Sequence, residues 1–222
     1  MSPHVTYETI LFDMDGVLLT GYHTAPSVYR RATAATLADF GIDHDDLPPG
    51  LAAPDGVAEV RTVCDDLGIP AAPAWAYRER AATTIENEQI VAGDRTAFPD
   101  TDVLTTLGDD HALGIVSNNR QGTVRFAADR FEWDVEVVRG RYPILAEYGK
   151  LKPDPYLLQW TLDRLDADDV LFVGDRRTDI RAAHRAGVDA ALLARDGDPP
   201  DGNPEPEYHV ESLDELHPIL DG

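Results

Sequence analysis

Six short apolar runs, most of them separated by segments of helical periodicity, constrain the fold of this chain more than any other feature. The strand-like runs are 9–12, 112–117, 135–138, 170–173, 190–193 and 208–210. The helical segments between them are 102–107, 123–130, 155–165, 178–186 and a last one that begins at Ser212. Strands that alternate with helices predict a parallel sheet covered on both faces. We therefore predict an α/β fold with a Rossmann-like parallel sheet core flanked by helices.

The first two strands are about 100 residues apart, whereas a complete strand-helix-strand crossover unit takes roughly 30 residues. Helical periodicity recurs within this interval at 27–40, 57–67 and 74–90, with a turn-rich stretch at 43–56. These segments predict a small all-helical cap domain, inserted after the first strand at residues 21–92. The core domain would then comprise residues 1–20 and 93–222, with the cap over the carboxyl end of the sheet. An extension packed elsewhere on the core is the alternative, but an insertion that begins directly after Asp13 and Asp15 favours a lid.

The acidic composition limits the partners of the protein. Its 41 acidic and 19 basic residues give a net charge of −22, which argues against nucleic acid and anionic membranes as partners. No apolar run approaches the roughly 18 residues of a membrane-spanning helix, and residues 1–8 lack the features of a signal peptide. We therefore expect a cytoplasmic protein. Only two of the basic residues are lysines, and the acids are spread along the chain, which we interpret as halophilic adaptation to a salt-rich cytoplasm.

Two carboxylates follow the first predicted strand. Asp13 and Asp15, with Gly16 after them, come directly after the apolar run 10–12. Ligands of open α/β sheets bind outside the carboxyl ends of the strands, and a glycine there permits a sharp turn. An ordinary Asp-rich turn is the alternative interpretation in so acidic a chain. Further residues at the same edge of the sheet must decide between the two.

Two later segments supply groups that suit a phosphate. Ser117 and Asn118 end the second strand and offer a hydroxyl and backbone amides to phosphoryl oxygens. Lys152 precedes Pro153 at a rigid turn, and its ammonium could neutralise both a carboxylate and a bound phosphate. Plain turn chemistry and a surface lysine are the corresponding structural alternatives.

Asp175 and Asp179 complete the candidate set. They lie at the end of the fourth strand and the start of the following helix. Mg²⁺ prefers one or two carboxylates, waters and substrate phosphate around it, which Asp13 and Asp175 would provide. Asp179 taken alone could equally be a helix cap. The sequence therefore predicts Mg²⁺ as the cofactor.

Taken in order, the segments D-x-D-G-V, S-N, K-P-D-P and V-G-D-x-x-x-D resemble the four motifs of the haloacid dehalogenase superfamily. The resemblance runs from Asp13 to Gly187 and includes the helix at 182–187, and Phe98-Pro99-Asp100 ahead of the second motif also fits. The helical insert is similar to the small-cap branch of that superfamily, which contains phosphoglycolate-phosphatase-like and phosphoglucomutase-like proteins.

The resemblance implies a phosphatase that cleaves a small phosphorylated metabolite through an aspartyl-phosphate intermediate. Asp13 would be the nucleophile, Asp15 the general acid and base, and Lys152 the residue that orients Asp13. For Asp15 to carry a proton near neutral pH, its pKa must lie well above the usual value of about 3.9. The phosphoryl group would be held by Ser117 and the Asn118 amide. The metal ligands would be Asp13, the Asp15 carbonyl, Asp175 and, as a ligand or as a supporting acid, Asp179.

Several arginines are candidates for substrate contact, because local cations must offset the field of so acidic a chain. Those in the insert are Arg30, Arg31, Arg61 and Arg78. Arg120 and Arg176 follow two of the motifs and either contact phosphate or face solvent, of which solvent exposure is the default expectation.

Other activities of the superfamily fit the sequence less well. A dehalogenase needs no acid at position 15, so Asp15 favours a phosphate leaving group. A phosphonate hydrolase would need a cap lysine, and residues 21–92 contain none, which also weakens the phosphoglucomutase interpretation. A sugar-phosphate mutase and a silent protein that only binds a phosphorylated ligand stay as alternatives. No motif indicates the natural substrate or the oligomeric state.

Overall fold

The computed structural model describes residues 7–43, 46–195, 197 and 202–220. Residues 1–6, most of the segment that was expected to lack signal-peptide features, lie outside this set. Six parallel strands form a single sheet in the order β3-β2-β1-β4-β5-β6. The strands are β1 (Thr9–Phe12), β2 (Ala112–Arg120), β3 (Val137–Arg141), β4 (Val170–Gly174), β5 (Asp189–Leu193) and β6 (Tyr208–Val210). The predicted α/β class and Rossmann-like sheet are confirmed.

Among the described residues, four helices make up the insert that follows β1. They are α1 (Pro26–Asp39), α2 (Pro49–Ala52), α3 (Val57–Asp66) and α4 (Ala71–Ala92). Their apolar side chains form two clusters, one around Trp75, which Leu145 from the segment after β3 joins, and one around Val28. The single cysteine, Cys64, is buried in the first of them. The all-helical character of this insert agrees with the sequence, while the domain limits at 21 and 92 stay a prediction.

Most of the remaining helices cover the two faces of the sheet, whereas the short helix at Leu145–Tyr148 packs against the insert. The remaining helices are α5 (Val103–Leu107), α6 (Gln121–Arg130), α7 (Leu145–Tyr148), α8 (Tyr156–Leu165), α9 (Arg177–Ala186) and α10 (His217–Leu220). Alternate residues of β1 point to opposite faces: Ile10 and Phe12 pack in one apolar cluster, with α5 and α6, and Leu11 packs in the other, with α8 and α9. Burial on both faces explains why the strands read as continuous apolar runs.

The structure differs from the sequence prediction where strands end in polar residues. β2 continues past Ser117 to Arg120, which pairs with Arg141 of β3 after a shift in register. β3 itself begins at Val137 rather than at residue 135. Apolar periodicity does not mark these ends, because Arg120 and Arg141 are charged and nevertheless buried. The short helices α2 and α7 were likewise not predicted, and the last predicted helix begins as a 3₁₀ turn at Leu213–Leu216.

Within the described part of the chain, no helix combines the length and apolar character that crossing a membrane requires.

Candidate active site

The chain turns sharply where β1 ends, and this turn places Asp13 and Asp15. The backbone N–H of Asp13 still bonds to the Val173 carbonyl of β4 at 2.9 Å. A carboxylate oxygen of Asp13, Oδ1, accepts a hydrogen bond from the Met14 N–H at 2.8 Å. Gly16 then adopts a positive φ of +85° and lies so close to Asp175 that no side chain would fit there. The glycine thereby lets the ends of β1 and β4 meet.

Lys152 connects three parts of the site. Its Nζ lies 3.0 Å from Asp13 Oδ1 and 2.7 Å from Asp179 Oδ1, and it donates to the Val116 carbonyl at 3.0 Å. The ammonium is buried. Burial opposes its charge, but the carboxylates of Asp13 and Asp179 outweigh burial and raise the pKa of Lys152. The residue therefore serves as a fixed cation between two acids.

Asn118 holds the backbone of Lys152 in place. The Asn118 side chain accepts from the Lys152 N–H at 2.8 Å and donates to the Lys152 carbonyl at 3.2 Å. Its amide group is thus committed to the protein, which leaves the backbone as its contribution to ligand binding. Ser117 is buried and accepts from the Asn119 N–H at 3.2 Å. Both Ser117 and Asn118 line a cleft of about 240 Å³ together with Asp13 and Asp15.

Three carboxylates form a cluster suited to a metal ion. Oxygen atoms of Asp13, Asp175 and Asp179 lie within 4.8 Å of one another. Oδ1 of Asp175 is buried and has no hydrogen-bond partner among the described residues. Burial and, after it, the charges of Asp13 and Asp179 raise the pKa of Asp175 to about 8. A concentration of buried negative charge with an unpartnered oxygen fits a hard divalent cation such as Mg²⁺.

Asp179 is held more tightly than Asp175. Its Oδ1 contacts Lys152, and its Oδ2 accepts the Arg176 N–H at 3.0 Å at the start of α9. Burial raises the pKa of Asp179, and Lys152 acts against that rise. Both carboxylate oxygens therefore already have partners, which suits a residue that positions Lys152 more than a metal ligand.

The carboxylate of Asp15 is not part of the acidic cluster and has its own partners. Arg95 Nη2 lies 2.6 Å from Asp15 Oδ1, and Asn119 Nδ2 donates to Oδ2 at 2.9 Å. Burial has the largest effect on the pKa of Asp15; it raises the value, Arg95 acts in the opposite direction, and Asp13 adds to the rise. The net direction is upward, as an acid catalyst requires.

Sequence reasoning missed Arg95. The residue follows α4 where the insert returns to the core, and it also contacts Glu86 and donates to the Thr20 carbonyl at 2.8 Å. No motif contains it. Its position in the sequence could have indicated it. The two connections of an insert must lie side by side, which brings residue 95 close to the segment after Asp15.

The expectation that Arg120 contacts phosphate or faces solvent is wrong. Arg120 is buried and pairs with Glu86 of α4. Arg141 of β3 similarly pairs with Glu79 of the same helix. Arg176 differs, because it is exposed as expected, lines the cleft and donates to the Tyr22 carbonyl at 2.6 Å. Buried ion pairs therefore join the insert to the ends of β2 and β3.

Comparison with known proteins agrees with this architecture. A sequence model described as haloacid dehalogenase-like hydrolase matches residues 7–187. The (S)-2-haloacid dehalogenase 4A of Burkholderia cepacia is 38% identical over 72 residues, which is 31% of this chain and 31% of that protein. The chain thus matches less than a third of that relative's length.

Solved structures share the fold over nearly the whole chain. CbbY from Rhodobacter sphaeroides, solved in complex with phosphate, has a TM-score of 0.65 at 20% identity and covers 98% of this chain and 100% of its own. A putative phosphoglycolate phosphatase from Lactobacillus plantarum has a TM-score of 0.60 at 22% identity and covers 96% and 99%. The family match spans most of the chain, and the protein belongs to the haloacid dehalogenase-like hydrolases.

Proposed function

We propose that the protein hydrolyses a small phosphomonoester in a Mg²⁺-dependent reaction that passes through a phosphorylated Asp13. The observation that carries this proposal is the position of Lys152, which contacts Asp13 and Asp179 at the edge of an open cleft. A carboxylate held beside a fixed cation and a cluster of acids matches what phosphoryl transfer needs, namely positioning and charge neutralisation.

In the first step, a carboxylate oxygen of Asp13 attacks phosphorus while the bond from phosphorus to the leaving oxygen breaks. Asp15 gives its proton to that leaving oxygen, so the product departs as an alcohol. Ser117 and the Asn118 backbone amide hold the phosphoryl oxygens. In the second step, Asp15 takes a proton from water, the water oxygen attacks phosphorus, and the bond to Asp13 breaks to release inorganic phosphate.

Asp13, Asp175 and the Asp15 carbonyl would hold the metal, and Asp179 would support it through Lys152. When bound, Mg²⁺ would neutralise the charge that develops on the phosphoryl oxygens. The protein residues supply the rest: Lys152 keeps Asp13 oriented, and Arg95 with Asn119 keeps Asp15 facing the cleft.

Asp15 also favours phosphate transfer over dehalogenation, the activity for which the similar Burkholderia protein is named. Halide needs no proton when it leaves, whereas an alkoxide does. Asp15, a buried carboxyl group with a raised pKa and two fixed partners, therefore suits a leaving group that must be protonated.

The test is phosphate release from para-nitrophenyl phosphate at high salt, with Mg²⁺ and with a chelator. We expect release only with the metal, none from Asp13→Asn, and normal release from Asp163→Asn, an exposed acid on α8 with the same change in charge. Chloride release from an α-haloacid should be absent. Failure of phosphate release under all metal and salt conditions would contradict the proposal and favour a silent binding protein. Accumulation of a sugar bisphosphate from a sugar monophosphate would favour a mutase.

A further inference from the structure

A second cavity, which we call the side cavity, adjoins the cleft. Its volume is about 560 Å³, compared with about 240 Å³ for the cleft. The two share five lining residues, His23, Thr24, Tyr29, Arg141 and Tyr148. A group attached to a phosphoryl group in the cleft would therefore extend into the side cavity.

The charges that line the side cavity are unusual for this protein. Arg30, Arg78 and Arg141 line it, and none of its described lining residues is acidic. Acids make up 41 of the 222 residues of the chain, so their absence from a wall of this size is notable. Such a wall favours an anion over a cation.

Two of the three arginines are buried and share a single carboxylate. Arg78 and Arg141 both pair with Glu79. Arg78 also donates to the Ala52 carbonyl at 2.8 Å, and Arg141 to the Asn118 carbonyl at 2.9 Å. Nε of Arg78 is buried without a hydrogen-bond partner in the described part of the chain. Two guanidinium groups against one carboxylate leave positive charge that a ligand could neutralise.

The rest of the wall is apolar or aromatic. Leu47, Pro49 and Pro54 contribute apolar surface, and Tyr29 and Tyr148 contribute rings. The guanidinium carbon of Arg78 lies 4.3 Å from the centre of the Tyr29 ring, which is a cation–π contact. Mostly apolar walls with a few fixed charges are typical of sites for small organic ligands, which occupy roughly 300–1,000 Å³.

We propose that the side cavity binds the leaving group of the substrate, and that this leaving group has an apolar or aromatic body and a negative charge of its own. The inference rests on the proposed function of the cleft. It assigns the substrate to the phosphomonoesters of bulky organic anions, because a two-carbon acid would leave most of the cavity empty. Arg30 and Arg78 would set this specificity.

Binding of non-hydrolysable phosphonates tests the inference without turnover. Calorimetry at one fixed salt concentration would compare benzylphosphonate with its para-carboxy and para-aminomethyl derivatives. We expect the carboxy compound to bind at least about tenfold more tightly than the parent, as a charge-assisted hydrogen bond provides. The aminomethyl compound should bind most weakly.

Two variants test whether the arginines of the side cavity cause the preference for the carboxy compound. Arg78→Gln and Arg30→Gln should each reduce the preference for the carboxy compound, whereas Arg31→Gln, an exposed neighbour that does not line the cavity, should keep it. Arg30 is exposed, so its replacement leaves the fold intact and decides the outcome if Arg78→Gln does not fold. Equal affinities, tighter binding of the aminomethyl compound, no binding of any of the three, or an unchanged preference in the folded arginine variants would overturn the inference. Phosphate release from para-nitrophenyl phosphate, measured in parallel, reports on the proposed function separately.

Discussion

Arg95 Nη2 lies 2.6 Å from Asp15 Oδ1, so the second acid of the first motif is held by a residue from the returning end of the insert. Arg95 also pairs with Glu86 of α4, and Glu86 pairs with Arg120 at the end of β2. The proposed acid and base is therefore one member of a buried network that joins the insert to the sheet. Substitutions in this network should therefore change the reaction rate even where the substituted residue does not contact the substrate.

Replacement of Arg95 is the first prediction. Arg95→Gln should lower kcat by about 10- to 100-fold, the effect of losing one buried charge-assisted hydrogen bond, with a smaller change in KM. Arg95→Lys should recover part of the loss because it restores the charge. Arg80→Gln, an exposed position on α4, is the control and should behave as the parent protein. Steady-state kinetics, with circular dichroism to verify folding, would measure this; an unaltered kcat in folded Arg95→Gln would show that Asp15 needs no such partner.

Replacement of Asp175, whose Oδ1 has no hydrogen-bond partner among the described residues, is the second prediction. Asp175→Asn should weaken Mn²⁺ binding by at least about tenfold, since a carboxylate ligand is replaced by a neutral amide. Electron paramagnetic resonance would report free Mn²⁺ in the absence of any substrate. Asp163→Asn makes the same charge change on the exposed face of α8 and should bind as the parent does. Equal Mn²⁺ affinities of the two variants would show that Asp175 is not a metal ligand.

The fold could be predicted from the sequence because apolar runs identify buried strands and their order identifies a parallel sheet. Most of the candidate site followed from the same reasoning. Asp13 and Asp175 stand just beyond the carboxyl ends of β1 and β4, and Ser117 lies on β2 two residues after Ile115, the partner of Phe12. These strands are adjacent in the sheet, so the proximity of the three residues is a consequence of topology. Their catalytic roles stay predictions.

The network around Arg95 could not be predicted in this way. Charged residues normally face solvent, yet Arg78, Glu79 and Glu86 of α4 are all buried. Their burial is possible only because Arg120 and Arg141 supply partners from distant strand ends. These ion pairs depend on how the insert packs against the core, and the local sequence does not indicate that packing.

The ionisation of Tyr29 is the third prediction. Burial alone would raise the pKa of Tyr29, but Arg120, Arg141 and Arg78 outweigh it and lower the value to about 8. Because the unfolded value is about 10, the phenolate contributes stability that is complete above that pH and is lost as the pH falls through about 8. Near-ultraviolet absorbance should show an early tyrosine titration that is absent from Tyr29→Phe and present in Tyr77→Phe, an exposed position. Persistence of that early phase in Tyr29→Phe would contradict the prediction.

Salt dependence is the fourth prediction. With a net charge of −22 and five arginines and a lysine buried, much of the basic charge is unavailable to the surface. An increase in KCl from about 0.1 M to about 1 M shortens the Debye length from about 10 Å to about 3 Å, which should weaken repulsion between surface acids and raise the melting temperature. Thermal unfolding followed by circular dichroism would measure this. Full stability and activity without added salt would argue against halophilic adaptation.

Direct detection of a phosphorylated Asp13 tests the central claim most closely. A rapid acid quench of the protein reacting with an aryl phosphate labelled in its phosphoryl group, followed by peptide mapping, should find the label on the peptide that contains Asp13, and hydroxylamine should release it. Asp13→Asn should show no label and a loss of turnover of about 1,000-fold or more, as expected when a nucleophile is removed. Label on a different residue, or normal Mg²⁺-dependent turnover by folded Asp13→Asn, would contradict the account.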